Sequence, residues 1–194
     1  MTPATPEGEI HFGRSATHYE LTAAQWLPTT REKAWAFLGD CRHLNFVLPR
    51  FIAFTILGVD DRQTPPGLAP GVTYDYRLRL HRIAVRWRTL ITEVSYPDRF
   101  VDIQQRGPYE SFTHEHDFEP DPARGGLIVR DRIVYRPPGK WLAPIVNWAY
   151  VRPSLRRLFI NRHQKLRELF ADEADPQTLF GPPQISAAQP ASPA

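Results

Sequence analysis

Residues 141–170, WLAPIVNWAYVRPSLRRLFINRHQKLRELF, form the only apolar-periodic run in this chain long enough to be the central strut of a fold. Leu155, Leu158, Phe159, Leu166, Leu169 and Phe170 recur at helical spacing, with Arg156, Arg157, His163, Gln164, Lys165, Arg167 and Glu168 between them. One stripe of such a helix must be buried and the other wetted. Helical throughout, the run would be about 45 Å long at roughly 1.5 Å per residue, so it must lie across several strands. Pro153 removes a backbone donor and crowds the preceding turn. It predicts either a kink near Arg152 or a separate short helix over 140–151, with Pro153 as a first-turn residue of the gripping part. Arg152, Arg156, Arg157, Arg162, Lys165 and Arg167 also give the run the character of a basic amphipathic helix that lies on an anionic membrane. A core helix with a solvated face is the plainer reading.

The 194 residues suffice for one domain with tails. A composition of 42% hydrophobic and 23% charged residues is ordinary for a globular protein. The longest uncharged apolar stretch, 141–151, is interrupted by Pro144 and Asn147 and falls short of the roughly 20 residues of a bilayer span. MTPATPEGEI has neither the basic start nor the apolar core of a secretory signal, and Cys41 stands alone, so no internal disulfide is possible. A cytoplasmic location is expected. The net charge is +3, and the basic residues, nearly all Arg, alternate with Asp and Glu instead of clustering around a recognisable motif. No nucleic-acid partner is expected.

Residues 1–17 are rich in Pro, Gly, Ser and Thr and read as a flexible arm. A first strand is expected over 18–26, with Tyr19, Leu21 and Ala23 on one face, ending at Pro28. Thr29 or Thr30 then caps a helix over 31–38 that buries Ala34, Trp35, Phe37 and Leu38 and stops at Gly39; a second short helix covers 42–47. Six strands follow, over 51–59, 72–81, 85–94, 100–106, 109–119 and 127–136. Their separators are turn chemistry: Pro65 to Gly71, His81 to Ala84, Pro97-Asp98, Gly107-Pro108 and Pro120 to Gly126. Connections this short imply an antiparallel meander, because parallel neighbours need a crossover of a dozen or so residues. The Pro, Ala and Gln of 173–194 read as a disordered tail, leaving a domain over 18–172.

The segments AWAFLGDCRHLNFVLP, YDYRLRLHRIAVRWRTLITEV, DRFVDIQQRGPYESFTHEHDFEP and LIVRDRIVYRPP resemble the START-like, Bet v 1-like (SRPBCC) superfamily. The likeness is greatest to its bacterial polyketide cyclase/dehydrase-like branch, in which an RGPY turn precedes a strand ending in alternating His. The resemblance spans about 18–170. It implies an α+β helix-grip fold: a seven-stranded curved antiparallel sheet wrapped round a long C-terminal helix, with two short helices between strands one and two. It further implies an elongated apolar cavity between sheet and helix, without universal catalytic residues, in a fold that hosts binders, transporters and enzymes alike.

Strand alternation predicts which residues face that cavity. Tyr74, Tyr76, Leu78 and Leu80 share one face, opposite Asp75, Arg77, Arg79 and His81. Val85, Trp87, Thr89 and Ile91 join them, leaving Arg86 and Arg88 on the outer face with Glu115 and Asp117. By the same parity Phe112, His114, His116 and Phe118 point inward, as do Leu127, Val129, Asp131, Ile133 and Tyr135. The interior is then apolar with a few polar groups, the profile of a small-molecule pocket. The expected ligand-binding residues are Tyr74, Tyr76, Leu78, Trp87, Thr89, Phe112, His114, His116, Asp131, Tyr135, Leu158, Phe159 and Arg162.

His114 and His116 are the sharpest local feature. A metal site would need a third ligand, and Glu119 has the wrong parity, Cys41 is remote and Asp131 is the single inward carboxylate in view, so no metal or other cofactor is expected. A catalytic reading pairs either His with Asp131, the carboxylate fixing the tautomer for proton transfer during a cyclisation or dehydration. The plainer reading is a pair of inward histidines satisfied by each other, a Tyr hydroxyl or a ligand oxygen. No GxSxG or GxxxxGK[ST] pattern occurs, so hydrolase and phosphate-loop chemistry have no support. The leading expectation is a non-catalytic, cofactor-independent binder of a lipid, quinone or polyketide-like molecule. A cyclase-type enzyme and peripheral membrane or partner contact through the basic helix are the alternatives.

Overall fold

The computed structural model describes residues 8–60, 68–80 and 83–171. The first seven residues of the expected arm, Pro65 to Gly67 of the long loop, the 81–82 half of the tight reversal and the expected tail lie outside them. The strands are β1 (Glu9–Arg14), β2 (Tyr19–Leu27), β3 (Ile52–Asp60), β4 (Thr73–Leu80), β5 (Ile83–Ser95), β6 (Arg99–Arg106), β7 (Ser111–Pro120) and β8 (Leu127–Arg136). The helices are α1 (Arg31–Leu38), α2 (Leu44–Val47), α3 (Ala143–Val146) and α4 (Arg152–Ala171). All strand pairs are antiparallel, in the order β1-β2-β8-β7-β6-β5-β4-β3. The meander from β3 to β8 follows the short turns, and β2 continues it beside β8.

The sheet has eight strands where seven were expected, because residues 9–14 of the supposed arm form an edge strand. Ile10 pairs with Ala23 and Phe12 with Leu21, and both side chains are half-buried. An edge strand has neighbours on one side alone, so two alternating apolar residues are enough to seat it. Bulges at Ile56/Gly58, Arg88/Thr89 and Ile91/Glu93 bend the long central strands into a trough.

The trough is plugged at one end by the helix pair. Thr30 caps α1 by accepting from the Lys33 amide, and Asp40 caps the 3₁₀ turn Cys41–His43 that leads into α2. Phe37 and Val47 enter one core cluster with Phe118, Leu127, Leu166 and Phe170.

Around Pro153 the C-terminal run is helical in successive pieces, with a short helix of its own inside the expected 140–151 span. Gly139, at φ 102°, starts a 3₁₀ turn (Lys140–Leu142) that passes into α3, then a wide π turn (Asn147–Val151), then α4. Arg152 keeps helical angles of φ −57° and ψ −47°. The π turn shifts the hydrogen bonding by one residue just where the ring of Pro153 would strike the carbonyl four residues back. α4 then buries Leu155, Phe159, Arg162, His163, Leu166, Leu169 and Phe170 against the sheet. Two of these correct the expected pattern. His163 is 6% exposed instead of wetted, and Arg162, also 6% exposed, is withdrawn from any outward basic face.

The outer sheet face carries the charges as parity required. Arg99 bridges Glu93, Glu115 and Asp117; Arg132 bridges Glu20 and Glu115; Arg130 meets Glu119 and Arg88 meets Asp75. Arg77 is exposed, while Tyr76 across the strand is 6% exposed.

Candidate ligand-binding site

Between the concave sheet face and α4 lies a cavity of about 330 Å³. Its size and apolar wall are those of a small-molecule site. β4 supplies Tyr74, Tyr76 and Leu78; β5 supplies Trp87 and Thr89; β7 supplies Phe112, His114 and His116; and α4 supplies Leu158 and Arg162. The aromatic rings hold one another in place. Tyr74 and Tyr76 stack at 6.2 Å between centroids, and Trp87 meets Tyr109 and Phe112 edge-on at 5.7 and 5.1 Å. Trp87 also donates from Nε1 to Thr89 Oγ1 at 3.0 Å, so its one polar atom is satisfied. Burial pushes the Cys41 thiol, at the helix-pair end of the wall, up to about 12, so it stays protonated and unreactive.

Three residues expected on this wall are elsewhere. Tyr135 is fully buried behind it, stacked on Tyr19 at 5.8 Å, and its hydroxyl donates to Asn147 Oδ1 at 2.9 Å, tying β8 to the π turn. Phe159 is fully buried in a core cluster with Leu21 and Ile133. Asp131 is 3% exposed and sits beneath the histidines, not on the cavity surface. Tyr135 and Asp131 have inward parity, but inward from a curved sheet means either cavity or core, and Phe159 on α4 turns to the core.

The polar side of the cavity is one connected cluster, built by cross-strand pairing. Register sets Asp102 opposite His114 and His116 opposite Asp131, and α4 brings Arg162 over them. His114 Nε2 donates to Asp131 Oδ1 at 3.1 Å, and His116 Nε2 donates to Asp102 Oδ2 at 3.2 Å. His116 Nδ1 and Arg162 Nη1 each lie 3.0 Å from the same Asp131 Oδ1. The Nδ1 contact is close but poorly directed, leaving that nitrogen without a hydrogen bond. His116 stacks on Phe100 at 4.0 Å and on His114 at 3.7 Å, so neither ring can turn freely.

Asp102 is the functional residue that sequence reasoning missed. It shares the inward face of β6 with Phe100, a parity signal present in the sequence, and it lines the cavity. Tyr109 and Tyr150 are further wall residues not anticipated. Tyr109 lies in the turn before β7, where Gln104 holds its backbone, so strand alternation does not reach it.

The protonation states follow from the neighbours. Burial alone would raise the Asp131 carboxyl, but Arg162 and the two histidines outweigh it and hold the group well below the usual carboxylate range. Burial, reinforced by the charge of His116, lowers His114, which is therefore neutral with its proton on Nε2. Burial also opposes charge on His116, yet the hydrogen bond to Asp102 and the close Asp131 carboxylate prevail and raise its pKa above the ordinary histidine value. Within the cluster Asp131 is therefore held ionised, and His116 keeps its proton more firmly than His114 does.

Asp102, His114 and His116 offer donor atoms within 4.8 Å of one another, so the third ligand thought missing is supplied by Asp102. As arranged, the Nε2 atom of each histidine is hydrogen-bonded to a carboxylate, and His116 carries a proton that a metal would have to displace. The geometry is that of a proton-holding network.

The chain matches no protein-family model and no curated protein. Among solved structures it is similar to protein CV1439 of Chromobacterium violaceum, at 11% identity and a TM-score of 0.59, covering 78% of this chain and 96% of that one. It is also similar to a Rhodobacter sphaeroides protein at 16% identity and a TM-score of 0.58, covering 84% and 99%. A third is StfQ, a di-domain ARO/CYC from the steffimycin biosynthetic pathway, at 15% identity and a TM-score of 0.60. There the match covers 81% of this chain and 52% of StfQ, so the chain spans about half of that protein. At these identities the likeness is one of fold: an α+β arrangement of an antiparallel sheet and a long C-terminal helix. No helix among the described residues is long and apolar enough to cross a membrane.

Proposed function

We propose that this protein binds one hydrophobic or aromatic small molecule, polyketide-like, quinone or lipid, in the cavity between sheet and α4, with an acceptor oxygen of the ligand seated on Arg162. The observation that carries this reading is the state of Arg162. It lines the cavity and is 6% exposed, and its Nε and Nη2 have no hydrogen-bond partner. Buried donors of this kind demand an acceptor, and a guanidinium has donors alone. The complement is a carbonyl, phenolate or carboxylate oxygen, with the aromatic wall taking the rest of the molecule. The resemblance in fold to one half of StfQ supports the polyketide-like end of the range.

A second reading, cyclase-type catalysis, is favoured by His116. An imidazole held between Asp102 and Asp131 at a cavity wall, with its proton-binding strengthened by both, could lend and recover a proton. Binding and catalysis share the pocket, so binding is tested first. The probe 1-anilinonaphthalene-8-sulfonate joins fused rings to an anionic acceptor. Titrated into the full chain, it should gain fluorescence at saturable stoichiometry, and Arg162→Gln should weaken it about 10- to 100-fold, the worth of a charged hydrogen bond. Arg156→Gln, on the exposed side of α4, should leave it unchanged. Equal affinity in wild type and folded Arg162→Gln would remove the guanidinium from the site.

A further inference from the structure

The helical stretch from Lys140 to Val151 is apolar on both sides. Inward, Val146 and Val151 pack on the core cluster of Leu21 and Phe159, and Asn147 accepts from Tyr135. Outward, Trp141 is 82% exposed, Trp148 75% and Ile145 60%, with Leu142 and Tyr150 about two fifths exposed. Two indoles and an isoleucine standing in water within eight residues mark an interaction surface, not scattered exposure.

We infer that this surface docks the protein on an anionic membrane, with Trp141, Ile145 and Trp148 entering the interfacial layer. Three observations select a bilayer as the occupant. The side chains are of the interfacial kind, since Trp has a broad apolar ring with an N–H edge that settles at headgroup depth. The flanking charge is complementary: from Lys140 through Arg167 the sequence contains no Asp or Glu. Within that span Lys140, Arg152, Arg156 and Arg157 are exposed and form no ion pair with any described acidic residue. On the β6–β8 part of the outer sheet face, by contrast, Arg99, Arg130 and Arg132 are each paired with carboxylates. The patch is also continuous with the cavity. Val146, Tyr150 and Val151 line it, and Tyr150 is 41% exposed at the same time, so the cavity wall reaches the surface inside the docking patch.

On the proposed ligand binding, that continuity gives the surface its use: an apolar ligand partitions into bilayers, and a cavity with wall residues on the bilayer-facing helix would take it up from there. The surface differs from the basic face of α4 weighed from the sequence. Arg162 of that face points into the fold, and the apolar anchor lies before Pro153, on the 3₁₀, α3 and π turns.

The test is flotation of the full chain with ligand-free vesicles of phosphatidylcholine, alone or mixed with phosphatidylglycerol, at low and high salt. The wild type should float with the anionic vesicles at low salt, and less so with neutral vesicles or when salt screens the charges. Trp141→Ser/Trp148→Ser, at positions too exposed to support the core, should partition at least about tenfold more weakly, with an unchanged melting temperature confirming the fold. Arg156→Gln/Arg157→Gln should lose about fivefold per charge at low salt and little at high salt. A wild type that stays with the aqueous fraction at low salt, or a double Trp variant that floats as the wild type does, overturns the inference. So does concentration-dependent dimerisation that the Trp variant abolishes, which would make the patch a self-association surface. Arg162→Gln should float as the wild type does. A wild type that floats but takes up no probe would therefore sink the cavity reading alone, and a wild type that binds the probe but does not float would sink docking alone.

Discussion

Asp131 shows why the polar cluster is a unit and not a collection of polar residues. Its Oδ1 lies within 3.1 Å of His114 and 3.0 Å of both His116 and Arg162, at 3% exposure. A charge so buried persists only when its partners are fixed, and here they come from β7 and α4, so the carboxylate pins the helix to the sheet at the ligand site. Next to Arg162 in α4, His163 has no such support. Burial and the neighbouring Arg162 lower it to about 4, the attraction of Asp131 notwithstanding, so it is buried neutral. With the folded value below the unfolded 6.5, its stability contribution is complete above that pH and is lost as the pH falls from there toward 4. The His163→Gln variant should therefore lose less stability than the wild type between pH 7 and pH 4, by on the order of 3 kcal/mol, as urea unfolding at the two pH values would measure. Parallel losses in the two proteins would mean that His163 is charged or solvated in the fold. The burial of this residue was readable: Phe159, His163, Leu166 and Phe170 follow the i, i+4, i+7, i+11 spacing of a single stripe. Residue type, not spacing, placed it outside.

The strands were legible because alternation is a local property of period two: one apolar residue on each strand settles the face of all its neighbours. That is why the inward sets of β4, β5, β7 and β8 can be read from sequence, and why Asp102 on β6 was within reach of the same rule. β1 was not legible, since Ile10 and Phe12 are its sole apolar alternation and Gly13 interrupts it; its strand character comes from the open edge of β2. The π turn was hidden for a similar reason. Pro153 announces a disturbance, but whether it appears as a kink, a break or a widened turn is settled by the packing of Val146 and Val151 beneath it. Burial decides energetics as well. Leu166, 1% exposed within the cluster of Phe37 and Phe170, should cost roughly 2 to 5 kcal/mol on replacement by Ala, measured by equilibrium unfolding. Arg156→Ala, on the exposed side, should stay within about half a kcal/mol. A Leu166→Ala loss as small as that would place α4 outside the core.

Taken whole, the molecule is a bent sheet that closes over a helix incompletely, and the space left is the cavity. Its apolar wall comes from residues any helix-grip packing would turn inward, whereas Arg162, His116 and Asp102 carry hydrogen-bonding capacity that a dry core has no use for. Val146, Tyr150 and Val151 of that wall belong to the same helical stretch as the exposed Trp141 and Trp148, so the two proposals, binding and docking, meet on one element. Sequence reasoning reached the cavity and its leading side chains but could not reach the ligand, because volume and the unpaired, buried donors of Arg162 depend on how separate elements meet. The most direct test is native mass spectrometry of the protein purified from its own source, beside Arg162→Gln prepared the same way. A discrete small-molecule adduct on the wild type, released by organic solvent and depleted in the variant, is the predicted result. A wild-type chain that emerges bare, or an adduct carried equally by both proteins, would contradict the account.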